Sequence, residues 1–151
     1  GLTVNGNPDP RVNVTQVAGL TSDQLSQRWV QNKYTSLTAS WPIASWIEAR
    51  LIQAEAGGAG AGEAIINNLR ARAGVALPAL TPAEVAAWTA TVAEERRREL
   101  FVQGTRWWDI NRLNLTQVPA TGAAFAKGGF YGDQRCWPLP DVETLANPNF
   151  P

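Results

Sequence analysis

The sequence predicts a mainly α-helical fold that ends in an irregular segment rich in proline and glycine. Three observations favour it. Capping motifs mark several helix starts, apolar residues recur at helical spacing behind them, and glycines stand where those helices should end. Beyond Leu115, prolines and glycines interrupt every regular pattern. We therefore expect a single domain over residues 1–151, with an extended lead-in at 1–20, a helical part at 21–113 and an irregular closing segment at 114–151.

The first helix is predicted over residues 22–33. Thr21 and Gln24 have the spacing of a capping box, and Leu20 and Leu25 stand where a hydrophobic staple would flank it.

A helical hairpin is predicted next. Ser45 and Glu48 form a second capping pattern at the start of a helix over residues 43–56, and a glycine-rich turn that begins at Gly57 stops it. A further helix covers residues 63–73. Two helices joined by a short glycine turn form an antiparallel pair. Such a pair resembles a tetratricopeptide-type hairpin, although no second copy follows at the ~34-residue period of a repeat array.

The clearest helix start lies at Thr81, which is followed by a proline in the first helical position and by Glu84, which closes the box. We predict a long helix from this point to Gln103. A short helix over residues 105–113 follows Gly104, and one short strand is predicted near residues 130–131.

Composition excludes several classes of function. The formal net charge is zero, with 13 basic and 13 acidic residues, and this argues against a nucleic-acid partner. Histidine is absent and Cys136 is the only cysteine, so histidine-dependent nucleophile pairs, histidine metal sites and thiolate cages are all excluded. We expect no metal and no cofactor. Because the chain lacks methionine and a signal peptide, we expect Gly1 to follow a segment that has been removed or omitted.

A dense set of charges surrounds Gly104. Its members are Glu95, Arg96, Glu99, Arg106, Asp109 and Arg112. One interpretation is catalytic, with Glu99 and Asp109 as the acid and base of glycoside cleavage. The other is a structural lattice in which arginines fix one helix against the next. We favour the lattice, because each carboxylate has an arginine within helical reach and a general acid must instead keep its proton.

The same residues resemble the C-terminal signature of the SusD/RagB family. The stretch reads Glu95-Arg96-x-x-Glu99-Leu100-x-x-Gln103-Gly104-x-Arg106-Trp107-Trp108-Asp109-x-x-Arg112. Further pieces resemble the family in the same order, namely Asp9-Pro10-Arg11, Glu48 to Ala56, Asn68 to Gly74, Trp137-Pro138-Leu139-Pro140 and Asn147-Pro148. Gln103 departs from the pattern, since the family usually has glutamate there.

The resemblance implies a non-catalytic lipoprotein on the outer face of the outer membrane. Such a protein covers a TonB-dependent transporter and captures glycans or peptides for import. The lipid anchor would lie in a missing N-terminal region, so the chain would be outer-membrane, periplasmic or cell-surface. A helical interaction subunit of a larger envelope complex, built on a reduced form of this scaffold, is the alternative.

Aromatic residues in loop-like segments are the candidate ligand contacts, because aromatic rings stack against sugars. These are Trp41, Tyr131 and Trp137. The other tryptophans lie at helical spacing and are predicted to fill the core, namely Trp29, Trp46, Trp88, Trp107 and Trp108.

Overall fold

The computed structural model describes residues 2–136 and Leu145. The chain forms two compact units, Gly1–Leu115 and Thr116–Pro151. The described residues of the first unit form these elements in order: β1 (Thr3–Val4), β2 (Asn7–Pro8), β3 (Val14–Leu20), β4 (Gln27–Gln31), α1 (Trp46–Ala71), α2 (Pro82–Ala86), α3 (Trp88–Glu99) and α4 (Arg106–Arg112). Helix exceeds strand in the described residues, as predicted, but the helical content is modest and there is more strand than expected. That residues 1–151 form one domain stays a prediction.

The helix predicted over residues 22–33 is wrong, because this segment forms the second half of a β-hairpin. Strands β3 and β4 pair antiparallel, and Gln16 lies opposite Trp29 in the ladder. The capping pattern at Thr21 instead builds the connecting turn. The Thr21 amide donates to the Ser26 carbonyl at 2.9 Å, and Gln24 adopts a left-handed backbone with φ 57°.

The physical reason is the partner strand. Strand β3 contains Val and Thr, which favour extended backbone, and it pairs with residues 27–31 along its length, with one shift of register between Gln16 and Leu20. A helix there would have faced solvent on most sides, because Leu25 and Trp29 remain more than half exposed. Cross-strand pairing therefore outweighs the local capping signal.

Helix α1 contains the predicted hairpin. Its backbone leaves the helical region at Gly58, where φ is 63° and ψ is −173°. Beyond this point the chain reverses, because a Cβ built on Gly62 would lie 2.5 Å from the Ala54 carbonyl oxygen, eight residues earlier. In a straight helix these groups would be about 12 Å apart along the axis. Two antiparallel helical segments around Gly58 were thus correctly predicted; their tetratricopeptide character stays a prediction.

The core of the first unit lies between this hairpin and the chain that follows it. Six residues form it, namely Leu51, Ala54, Ile66, Leu69, Leu80 and Leu100, with Ile47, Ile65, Val85 and Trp88 packed against them. Both halves of the hairpin contribute residues at i, i+3 spacing, so the apolar stripes that predicted the helices are those that bury their side chains.

The long helix predicted to end at Gln103 is divided and shorter. It breaks at Ala87, whose φ and ψ are −96° and 43°, and it ends at Glu99. Lys33 explains the early end, because its Nζ donates to the carbonyls of Glu99 and Phe101 at 3.0 Å each. These bonds satisfy acceptors that a further helical turn would otherwise have used.

The remaining predictions concern short elements. Helix α4 agrees with the helix predicted over residues 105–113. In the second unit, the strand predicted near residues 130–131 reduces to a single antiparallel bridge between Ala124 and Phe130. Within the described part of the chain, no helix combines the length and apolar character needed to cross a membrane.

We predict that Gly62→Ala destabilises the first unit by about 1–3 kcal/mol. The new Cβ would lie 2.5 Å from the Ala54 carbonyl oxygen and would overlap the Trp88 ring, so the packed segments would have to separate. Gly60→Ala is the matched control, because it lies in the same helix with open space around it, and it should raise stability by about 0.5–1 kcal/mol. Urea denaturation of both variants tests this, and equal midpoints would contradict it.

Candidate functional site

Arg11 is the centre of a buried network of charges. Its Nη1 donates to Glu95 at 2.6 Å and to Glu99 at 3.1 Å, while its Nε and Nη2 donate to the two oxygens of Asp9. All four residues are less than a tenth exposed. Burial alone would lower the pKa of Arg11, but the hydrogen bonds to Asp9 and Glu95 outweigh it and raise that pKa.

Two arginines from the end of α1 complete this part of the network. Arg70 donates to Glu95 at 2.7 Å and to Glu84 at 2.6 Å, and Arg72 binds both oxygens of Glu99 at 2.6 and 2.7 Å. The network therefore joins the lead-in, the hairpin and α3, which are far apart in sequence.

A second, smaller cluster joins α1, α3 and α4. The Nε of Arg96 donates to both oxygens of Asp109 at 3.0 Å, and Arg112 donates to Asp109 at 2.9 Å. Arg112 also forms an ion pair with Glu55. These contacts cross the bend at Gly104 and hold α4 against the hairpin.

Both clusters are electrically balanced among the residues that the structure describes. The larger contains five arginines and five carboxylates, namely Arg11, Arg70, Arg72, Arg97 and Arg98 with Asp9, Glu84, Glu94, Glu95 and Glu99. The smaller contains two of each, namely Arg96 and Arg112 with Glu55 and Asp109. Balance matters here because an uncompensated charge in a buried site costs several kcal/mol.

The ion pairs in the structure differ in part from the charge lattice predicted from the sequence. Five of its six residues lie in the two clusters, but Arg96 contacts Asp109 and not Glu99. Arg106 forms no ion pair with any residue in the described ranges. The partners that sequence reasoning missed are Asp9, Arg11, Glu55, Arg70, Arg72, Glu84, Glu94, Arg97 and Arg98. Several of them belong to the family-like motifs, and that was the only signal available for them.

The acid and base of the catalytic interpretation, Glu99 and Asp109, both accept hydrogen bonds from arginines. The oxygens of Glu99 accept from Arg11 and Arg72, and those of Asp109 accept from Arg96 and Arg112. Both carboxylates are buried. Groups held in this way cannot approach a glycosidic bond without breaking the network, so the geometry favours the structural interpretation.

Beside the network lies a cleft of about 540 Å³, a size typical of small-ligand sites. Three residues of the network line it, namely Arg11, Arg72 and Glu99. The other side chains that line the cleft are amides, apolar groups, Lys33 and Tyr34. They come from the lead-in, the segment after β4, both ends of α1 and the end of α3. Among them are Asn13, Asn32, Pro42, Ile47, Leu100 and Gln103.

An aromatic pair lies at this cleft. Tyr34 lines it and stacks on Trp41, with ring centroids 4.9 Å apart and planes inclined by 23°. The Nε2 of Gln103 donates to the Tyr34 hydroxyl at 3.3 Å. Trp41, a candidate ligand contact from the sequence, remains 53% exposed and so keeps much of its surface available.

The other candidate ligand residues differ in their settings. Tyr131 belongs to the second unit, where its ring meets Phe125 edge-on at 5.2 Å. Trp137 lies outside the described residues.

The prediction that the five helix-spaced tryptophans fill the core is wrong for four of them. Trp88 packs against the core, but Trp29, Trp46 and Trp108 are more than half exposed, and Trp107 is 37% exposed. Helical spacing alone does not show which face of a helix is covered.

Comparison with known proteins gives one family. A sequence model described as the SusD family matches residues 48–149. Searches of curated proteins and of solved structures returned no match.

We predict that Arg11→Ala lowers the free energy of unfolding by about 3–5 kcal/mol, because it leaves three buried carboxylates short of a partner. Arg28→Ala, at an exposed position of β4, should change it by less than about 0.5 kcal/mol. Chemical denaturation followed by circular dichroism measures both. A loss below about 1 kcal/mol in Arg11→Ala would show that the network contributes little to stability.

We also predict that stability falls steeply in acid. Burial would raise the pKa of Asp9, but hydrogen bonds from Arg11 and Arg98 outweigh it and lower that pKa from 3.8 to about 2. Burial would likewise raise the pKa of Glu84, but hydrogen bonds from Arg70 and Thr81 outweigh it and lower that pKa from 4.5 to about 2. A lowered pKa adds stability that is complete above the unfolded-state value and is lost as the pH falls towards 2.

The free energy of unfolding should therefore decrease between about pH 5 and pH 2, with Asp9 alone contributing about 2 kcal/mol. Denaturation at stepped pH tests this with Asp9→Asn, which should flatten the curve. Asp133→Asn, exposed and in the second unit, is the control. An unchanged slope in Asp9→Asn would contradict the prediction.

Proposed function

The chain belongs to the SusD family, and on that premise we propose that it captures a glycan or peptide, without catalysis, for a TonB-dependent uptake system of the outer membrane. Proteins of this family are in general nutrient-binding components of the outer membrane. The partner would be the transporter, and the anchor a lipid attached through a preceding segment.

The cleft beside the charge network is the observation that carries this proposal. It combines an aromatic surface on Tyr34 with the side-chain amides of Asn13, Asn32 and Gln103. Aromatic faces and planar amides are suited to sugars, which present both C–H surfaces and hydroxyl groups. A peptide backbone uses the same amide donors and acceptors.

The absence of catalysis is part of the proposal. Glu99 is the carboxylate that lines the cleft, and three arginine nitrogen atoms donate hydrogen bonds to it. It supports the wall of the site and is poorly placed to exchange protons with a ligand.

The alternative function, a structural subunit of a larger envelope complex, is favoured by one observation. Large apolar side chains are exposed at Leu37, Ile43, Trp46 and Trp108. Surfaces of this kind can mark contacts with other proteins, so the tests below separate the two functions.

We predict that Trp41→Ala and Tyr34→Ala each weaken glycan or peptide binding by about tenfold or more, because one stacking interaction contributes about 1–2 kcal/mol. Isothermal titration calorimetry against panels of oligosaccharides and tripeptides measures this, with product analysis to detect turnover. Trp29→Ala is the control, since Trp29 has the same 53% exposure as Trp41, whereas only Trp41 stacks on the cleft residue Tyr34.

Binding without turnover that is lost in Trp41→Ala and in Tyr34→Ala would support capture. Binding that is unaffected by these two substitutions would show that the ligand binds outside the cleft. No binding, together with stoichiometric co-isolation with a complex that lacks a transporter, would favour the structural subunit.

A further inference from the structure

Lys33 is the one charge of the cleft that the network does not compensate. The arginines and the glutamate of the cleft wall belong to the larger, balanced cluster. Lys33 forms no ion pair with any residue in the described part of the chain, and its Nζ contacts only the carbonyl oxygens of Glu99 and Phe101. The cleft therefore carries one net positive charge.

The ammonium group also keeps a donor available. A protonated lysine has three N–H donors, and two of them are used on the carbonyls of Glu99 and Phe101. The nitrogen lies 5.9 Å from the centroid of the Tyr34 ring, which lines the same cleft. An acceptor in the cleft next to Tyr34 can thus receive the third bond.

Partial burial of Lys33 makes an interaction with such an acceptor more stabilising. Burial lowers the pKa of Lys33, Glu99 opposes that effect, and Arg72 adds to it. A charge that has lost part of its water gains more from an anion than an exposed charge does.

We infer that the cleft selects ligands that carry a single carboxylate, which binds Lys33 while the rest of the ligand lies against Tyr34 and the neighbouring amides. The inference rests on the proposed function and specifies its substrate class. The carboxylate can belong to a uronic-acid sugar or to the C-terminus of a peptide. A neutral ligand makes the same stacking and amide contacts but leaves the ammonium without an anion.

Gln103 offers a second way to test the charge of the site. Its amide lines the cleft and bonds the Tyr34 hydroxyl. In Gln103→Glu a carboxylate of the same shape replaces the amide, and it can accept a hydrogen bond from that hydroxyl in place of the one that the amide donated. The added negative charge should weaken the binding of an anionic ligand more than that of a neutral one, since both lose the same amide but only the anion is repelled.

The experiment compares two matched pairs of probes by titration calorimetry at low ionic strength. One pair is a trisaccharide that contains one galacturonate residue and the methyl ester of the same trisaccharide; the other is an N-acetylated aromatic tripeptide with a free C-terminal carboxylate and the same peptide as its C-terminal amide. The charged member of at least one pair should bind about tenfold or more tightly than its neutral partner, as expected for one charge-assisted hydrogen bond. The pair that shows this identifies the source of the carboxylate.

The variants then test whether Lys33 is responsible. The preference should disappear in Lys33→Gln and in Gln103→Glu, and it should persist in Lys127→Gln, which removes the other lysine of the chain. Thermal unfolding of each variant separates loss of binding from loss of fold.

Two results would overturn the inference. If acid and neutral probes bind equally, or if the preference survives in Lys33→Gln, the cleft captures ligands without this selectivity and the proposed function stands. If none of the four probes binds to the folded wild-type chain, the inference fails together with the assignment of substrate capture to this cleft.

Discussion

The attachment of Arg11 to Asp9, Glu95 and Glu99 is the interaction on which the rest of the first unit depends. It fixes the chain before the β-hairpin to a helix that begins more than seventy residues later. A planar guanidinium group suits this position because its five donors diverge in fixed directions and can serve several carboxylates at once. A single buried ion would be costly, so the charges are stable only as a group.

This group of charges also shapes the cleft beside it. Arg72 and Glu99 hold each other through two hydrogen bonds and cannot easily turn towards a ligand. The surface they form is rigid and close to neutral, which leaves recognition to the other side chains that line the cleft. Rigid support of this kind keeps a binding site preorganised and reduces the ordering that a ligand must impose.

Local signals in the sequence were sufficient for part of this fold. The cap at Thr81 and the reversal at Gly58 were predictable because neighbouring residues determine them. The β-hairpin was not, since the pattern at Thr21 fits a turn as well as a helix start and only pairing with β3 decides between them. For the site, Trp41 was a candidate from its loop position and its role stays a prediction, whereas the link from Arg11 to Glu95 spans 84 residues and has no local signature.

Glu84 connects the local and the distant interactions. One of its oxygens accepts from the Thr81 amide and caps α2, and the other accepts from Arg70. The first turn of α2 therefore cannot fray without disturbing a buried guanidinium group on the hairpin. Helix ends usually open more easily than helix centres, but here the opening of one end is coupled to the interior. Amide hydrogens at the start of α2 should exchange with solvent together with those of the core, as parts of one cooperative unit.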